Sequence, residues 1–364
     1  MLETRTPSVA QQLEYLELGR VICPDEVVEH EEDILDWIES VLGLDENCPE
    51  ELVAEAAYFL CNLKDPQSRD RCNWVLHQGS NDEYALIKRY QGRQRVRYFL
   101  EGDPIAIQDA IKRLGEFVPS EPAEINELRL VVPHNEMYTE ELINEYIGPN
   151  WVEDRHNDRP DRQGHFIVSR MVGNRDTYEA AMARDELQAH LEEERFDIRE
   201  LDDYDKIPIE DLFARRHPGS GFRWENAIKN KLHKVVVDKH PSQGASSVDP
   251  ERIVAIAGVY GKCNIKYAGT DPQGRNLYLL GDTVRDDQVR DEDGQPISRL
   301  GQAALHAVMQ MIFEKDPPAL VVTDTISDKS TEMCENLGLH VVKKYNWFNY
   351  VRAGTPTSKD PLAD

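Results

Sequence analysis

Ser298-Arg299-Leu300-Gly301-Gln302-Ala303-Ala304-Leu305 is the stretch on which the reading of the fold turns. It reads as the glycine-bearing start of a helix that runs to about Phe313. A strand pattern precedes it, Leu277-Tyr278-Leu279-Leu280-Gly281-Asp282-Thr283-Val284, and a second follows, Ala319-Leu320-Val321-Val322-Thr323-Asp324. A short helix then closes on Cys334-Glu335-Asn336-Leu337-Gly338-Leu339. This order sets the unsatisfied N–H groups of a helix first turn beside the end of a strand, where they can hold a phosphate without a basic side chain.

Upstream, Phe196–Leu201 alternates like a strand, and helical material follows around Ile209–Phe213 and Trp224–Leu232. Val235-Val236-Val237 is a further strand candidate, and the apolar run Ile253–Tyr260 is a strong one. Downstream, His340–Tyr345 and Trp347–Arg352 read as two closing strands.

This succession resembles the GNAT superfamily of acyl-CoA N-acyltransferases, over about residues 195–353. The resemblance implies an α+β fold whose mixed central sheet is flanked by helices. Phe196–Leu201 would be the first strand, and Ile253–Val284 would supply the central antiparallel strands. Residues Ser298, Arg299, Leu300, Gly301, Gln302 and Ala303 would hold the coenzyme A pyrophosphate, in a family pattern Arg/Gln-x-x-Gly-x-Gly/Ala. Ala319–Asp324 would splay from its neighbour to admit the pantetheine arm, and backbone near Gly281, Thr283 and Val284 would polarise the thioester carbonyl. Acetyl-CoA is then the implied acyl donor and an amine-bearing small molecule or protein the acceptor, with no metal required.

The sequence departs from the family at two places. Ser298 stands at the Arg/Gln position, with Arg299 one residue later, and Cys334 stands where the family often has a tyrosine that protonates the leaving thiolate. Cys334 is therefore a candidate proton donor, with a small buried core residue as the plainer reading. Asp282, Tyr260 and Glu225 are candidates for the base that deprotonates the incoming ammonium; Asp282 ends the fourth strand, where the family often places a carboxylate or a water. His233 and His240 read as surface residues of a connecting segment. These departures leave a second function open, a protein that kept the scaffold, lost transfer and serves as an assembly component.

Residues 1–80 read as a helical region, with apolar residues at helical spacing from Ile34 to Leu63 and with Trp74 and Leu76 closing a small bundle. Residues 81–150 read as a small α+β unit: a hairpin of Tyr84–Tyr90 and Val96–Leu100, a helix Ile105–Phe117, and a strand Leu128–Val132. Residues 151–194 form a linker, most open around Asp154–Arg162, and a long charged helix from about Tyr178 to Glu194. Residues 195–354 then form the acyltransferase-like domain, and 355–364 a frayed tail. No internal repeat is legible. Residues 1–150 are a candidate surface for a protein partner.

The chain has 364 residues, enough for two to three domains at about 150 residues each. Its formal net charge of −26 argues against binding nucleic acid or an anionic membrane surface. Charges of both signs are interleaved, which argues against a nucleic-acid mimic. Six cysteines are scattered without a CxxC pair, so reduced thiols in a cytoplasmic setting are expected. The first residues lack the charged start and apolar core of a leader, and no apolar run approaches the roughly 20 residues of a membrane span.

Overall fold

The computed structural model describes residues 20–22, 72–78, 83–91, 95–116, 127–154, 164–183, 195–216, 231–239, 252–265, 275–290 and 299–354, with residues 222, 224, 227, 228, 295 and 297. The chain divides into two compact units, Met1–Ser169 with Lys343–Asp364, and Arg170–Val342. The helices expected between residues 24 and 63, the Asp154–Arg162 opening apart from Asp154, the charged helix beyond Ala183, and the tail lie outside the described residues.

The first unit is built on strands β1 (Arg20–Ile22), β2 (Cys72–Gln78), β3 (Tyr84–Gln91) and β4 (Arg95–Gly102). Each pairs antiparallel with the next. Helix α1 (Pro104–Glu116) returns the chain to β5 (Glu127–Pro133), which lies parallel to β4. Helix α2 (Glu140–Ile147) and the short strand β6 (Trp151–Glu153) follow. Ala106, Ile107, Ala110, Ile111 and Leu114 form the buried stripe of α1, packed on Leu128, Leu130 and Val132 of β5. Each large aliphatic chain buried there contributes about 1.5–3 kcal/mol. The hairpin, helix and strand expected for 81–150 are therefore present. Cys72–Gln78 corrects the expected helical region: Trp74 and Leu76 lie on a strand hydrogen-bonded to β3, because their alternation matches a pleat as well as a helical turn.

Strand β7 (His165–Asn174) leads into helix α3 (Arg175–Met182), which Asn174 and Thr177 close in a capping box. In the second unit, β8 (Phe196–Glu200), a 3-10 turn at Asp203–Asp205 and helix α4 (Lys206–Arg216) come first. Then come β9 (His233–Asp238), β10 (Arg252–Ile265) and β11 (Arg275–Arg285). Helix α5 (Leu300–Lys315), strand β12 (Leu320–Thr325), helix α6 (Asp328–Glu335) and strand β13 (His340–Arg352) complete the order. Strands β8 to β11 are successively antiparallel, and β12 is parallel to β11. Alternation along β10 gives the sheet two apolar faces. Val254, Ala257 and Val259 pack with α5, whereas Ile253 and Ile256 pack with α4.

Two boundaries differ from expectation. The unit begins at Arg170 rather than 195, and the two closing strands are one continuous strand, β13, whose residues from Lys343 onward belong to the first unit and pair with β5. The two units also share an order of elements. In each, a strand pairs antiparallel with the first of three antiparallel strands, a helix follows, then a strand parallel to the third, then a short helix. That is an internal repeat of topology, contrary to the expectation of none.

The second unit is pinned where β11 ends. Asp286, buried, accepts from the Gln288 amide at 3.0 Å, from Arg215 of α4 at 3.1 Å, and from Arg252 of β10. Burial alone would raise its pKa, but the Gln288 amide and the two guanidinium groups outweigh it and hold the carboxyl below its ordinary value. Asp286→Ala should therefore lower unfolding stability by about 2 kcal/mol in urea titrations. Because the folded pKa is depressed, this contribution is full above the unfolded value of about 3.9 and is lost as pH falls through the folded one. The gap between wild type and variant should shrink as pH falls through that depressed value; a gap unchanged from neutral into strongly acid solution would contradict the assignment.

Candidate functional site

The ladder between β11 and β12 is short. Leu277 faces Leu320, Tyr278 faces Val321, Leu279 faces Val322, and pairing stops there, although β11 runs on to Arg285 and β12 to Thr325. At the next position the Thr323 hydroxyl donates to the Leu280 carbonyl at 3.3 Å, so a side chain takes an acceptor that a longer ladder would use. Past this point the facing edges of both strands offer peptide groups that must find partners elsewhere.

Strand β11 is bulged at the same level. Its pairing with β10 jumps from Gly281↔Gly258 to Val284↔Ile256, placing the extra residue within Asp282-Thr283. A second irregularity sits at Tyr260 on β10. Bulges of this kind bend and re-aim a strand. The far end of β12 is held by Arg170 of β7, a fully buried guanidinium that forks onto Asp324 at 3.0 and 3.4 Å. Asp286 holds the end of β11. The two strand ends are thus anchored away from each other by different charge pairs.

Helix α5 starts beside this opening. Its cap residue is Arg299, which makes no side-chain cap bond, and its first turn has no acidic residue. By contrast, α2, α3 and α6 carry side-chain caps from Thr139, Asn174 and Ser327, and acids in their first turns. A cation at a helix N-terminus opposes the dipole, so Arg299 is placed for an anion rather than for the helix. Gly301 is buried, yet a Cβ built there would meet nothing closer than the Thr283 methyl at 3.7 Å, with Arg285 and Met333 atoms at 3.9 Å. Packing does not demand this glycine, which costs a helix about 1 kcal/mol against alanine. Close approach of a ligand to the backbone is a reason for it.

The structure brings Thr283, Arg299, Gly301, Gln302 and Ala303 together around this helix start, with Leu300 turned into the core. Val284 pairs with Ile256, and its side chain packs on the face toward α4. Ser298 lies outside the described residues, as do Glu225, His240 and the side chain of Asp282, whose backbone sits in the bulge. Cys334 is buried in the core with Leu337 and Leu339, and burial, with Glu335 adding to it, pushes its thiol up to about 12. His233, expected at the surface, is instead buried as the first residue of β9. Its ring lies over Gly258, where a Cβ would come within 1.9 Å, and meets Phe222 edge-on at 5.6 Å. The Tyr260 ring covers Gly281 in the same way, at 2.6 Å from a built Cβ. Sequence reasoning missed Arg285, Arg170 and Asp324; the one available signal was Gly258 inside an otherwise apolar strand.

Among the described residues no cluster of His, Cys, Asp or Glu could hold a metal, and no helix is long and apolar enough to cross a membrane.

No protein-family model matches the chain, and no curated protein does. Solved structures are similar in fold. A Drosophila protein is 13% identical with a TM-score of 0.50, over 93% of this chain and 99% of that one. A GCN5-related N-acetyltransferase from Sphaerobacter thermophilus is 12% identical with a TM-score of 0.48, over 88% of this chain and 91% of that one. A tandem GNAT protein of the clavulanic acid biosynthesis pathway is 13% identical with a TM-score of 0.44, over 93% and 98%. At such identities the likeness is one of fold. The chain has an α+β arrangement, a mixed sheet flanked by helices.

The packing role of Cys334 predicts that the native thiol resists iodoacetamide at pH 8.5 and that Cys334→Ala costs about 1 kcal/mol. Fast alkylation of the folded protein would show a thiolate within reach of solvent and would contradict it.

Proposed function

We propose that this chain is an acyl-CoA N-acyltransferase that passes an acetyl group from acetyl-CoA to an amine. One observation carries the reading: β11 and β12 part where the uncapped, arginine-bearing start of α5 begins. The pyrophosphate would lie on the first-turn amides of Leu300, Gly301 and Gln302, with Ser298 and Arg299 beside it and Ala303, whose own amide is bonded to the Arg299 carbonyl, closing the turn. The amides of the pantetheine arm would pair with the strand edges left open between β11 and β12. The thioester carbonyl then meets backbone N–H groups near Gly281 to Val284, which stabilise the oxyanion formed on attack.

The amine attacks the carbonyl carbon, a C–N bond forms and the C–S bond breaks. The ammonium first gives up its proton to Asp282, directly or through a water; as the tetrahedral intermediate collapses, the second N–H proton lost by the nitrogen passes through water to the departing thiolate, giving the amide and the free thiol. Cys334 as the donor is the less favoured role, because its surroundings keep the thiol protonated and packed. The net charge of −26 suits a cationic acceptor.

The second reading is a scaffold that retained the fold without transfer and binds a protein partner through residues 1–150. It is favoured by the buried Cys334 standing where the family often sets a hydroxyl donor.

Coenzyme A at about 100 times its Kd should stabilise the protein by about 2.7 kcal/mol and raise Tm by several degrees. Gly301→Glu, which puts a carboxylate in the first turn, should remove that shift. Asp282→Asn should lower kcat/KM for acetyl transfer to polyamines or lysine peptides by about 100-fold. No shift at millimolar coenzyme A ends the enzyme reading; a shift without transfer to any amine favours the scaffold.

A further inference from the structure

The repeat of topology sets α1 in the first unit where α5 stands in the second, and β4 and β5 where β11 and β12 stand. The corresponding opening exists. β4 and β5 pair from Arg95↔Glu127 to Phe99↔Val131, and then β4 continues to Gly102 and β5 to Pro133 without partnering each other. The helix start is built otherwise. Asp103 alone joins β4 to α1, whereas Asp286 to Arg299 join β11 to α5. The Asp103 carboxylate accepts from the Ile105 amide at 2.8 Å, and Pro104 has no N–H to offer. The first two donors of the turn are therefore absent or taken, and a carboxylate stands beside them.

A buried tyrosine also lies against this helix start. Tyr138, fully buried, donates to the Pro104 carbonyl at 3.3 Å, and its own carbonyl accepts from Asn346 at 3.1 Å. Burial raises the Tyr138 pKa, and the charges of Glu101 and Asp103 add to the shift. Glu101, buried on β4, is bound by Lys343 at 2.7 Å.

We infer that the first unit is a second copy of the acyltransferase scaffold whose cofactor niche is shut by Asp103, Tyr138 and the Glu101–Lys343 pair, so that the chain takes up one coenzyme A thioester, in its second unit. The inference rests on the acyl-CoA reading above. The closure is a matter of sign as well as of space. In the second unit an anion meets Arg299 and open amides. In the first it meets the Asp103 carboxylate, a Glu101 already neutralised by Lys343, and a capped turn.

Native mass spectrometry and calorimetry of the full chain with acetyl-CoA test this. One equivalent per chain is expected. Arg299→Ala should weaken that binding severalfold and Gly301→Glu should abolish it. The double replacement Glu101→Gln with Lys343→Met, in the first unit, should leave Kd within about twofold; its circular dichroism reports whether it folds. Two equivalents per chain would overturn the closed niche while leaving the acyl-CoA reading intact. One equivalent that survives Gly301→Glu and is lost in the Glu101–Lys343 variant would place the site in the wrong unit and overturn the inference. No equivalent at all would contradict both this inference and the proposed function.

Discussion

Everything distinctive in the second unit depends on β11 and β12 ceasing to pair. A parallel ladder that continued would bury those peptide groups and leave a plain sheet edge to edge. Instead Thr323 takes the Leu280 carbonyl, and the two strands are drawn off by opposite anchors, Arg170 on Asp324 and Asp286 on Arg215 and Arg252. The bulge at Asp282-Thr283 turns β11 further at the same level. Two strand edges past the end of their ladder and one helix start without a side-chain cap are thereby gathered in one place. A long amide-bearing ligand that ends in a pyrophosphate is the chemistry that fits such a set.

How much of this was legible follows from the range of each interaction. The runs Ile253–Tyr260 and Leu277–Val284 are apolar enough to be strands in any setting, and Gly301 does lie in the first turn of a helix, as its place in the sequence suggested. The anchoring of β12 was not legible, because Arg170 and Asp324 stand 154 residues apart and a lone Arg or Asp carries no pattern. The sequence likewise suggested a break near Asn346, where the chain in fact runs on as one strand; Asn346 is buried there and bonded to His134, which satisfies its amide inside the sheet. His233 was misplaced for a similar reason. Its burial depends on the glycine across the ladder, Gly258, and such a pairing exists only once the register is set.

The repeat escaped notice because its two copies preserve pairing sense rather than residues. Glu101-Gly102-Asp103-Pro104 and Ser298-Arg299-Leu300-Gly301 lead into equivalent helices with opposite electrostatics. One helix start is stabilised for its own sake, by a carboxylate on an amide. The other is left uncapped, at a small cost to the helix, which is the usual mark of a place kept for a ligand. In the proposed account, stability and binding are separated between two copies of one topology.

The most direct test of the parted strands is amide hydrogen exchange along β11, with and without coenzyme A. The account predicts that the amides of Leu277 to Leu279, inside the ladder, exchange slowly in both states. Among Gly281 to Arg285 and the first turn of α5, the amides without a partner in the free protein should exchange fast there and become protected when coenzyme A is present. Slow exchange throughout Gly281 to Arg285 in the free protein, or no change on adding the ligand, would contradict it.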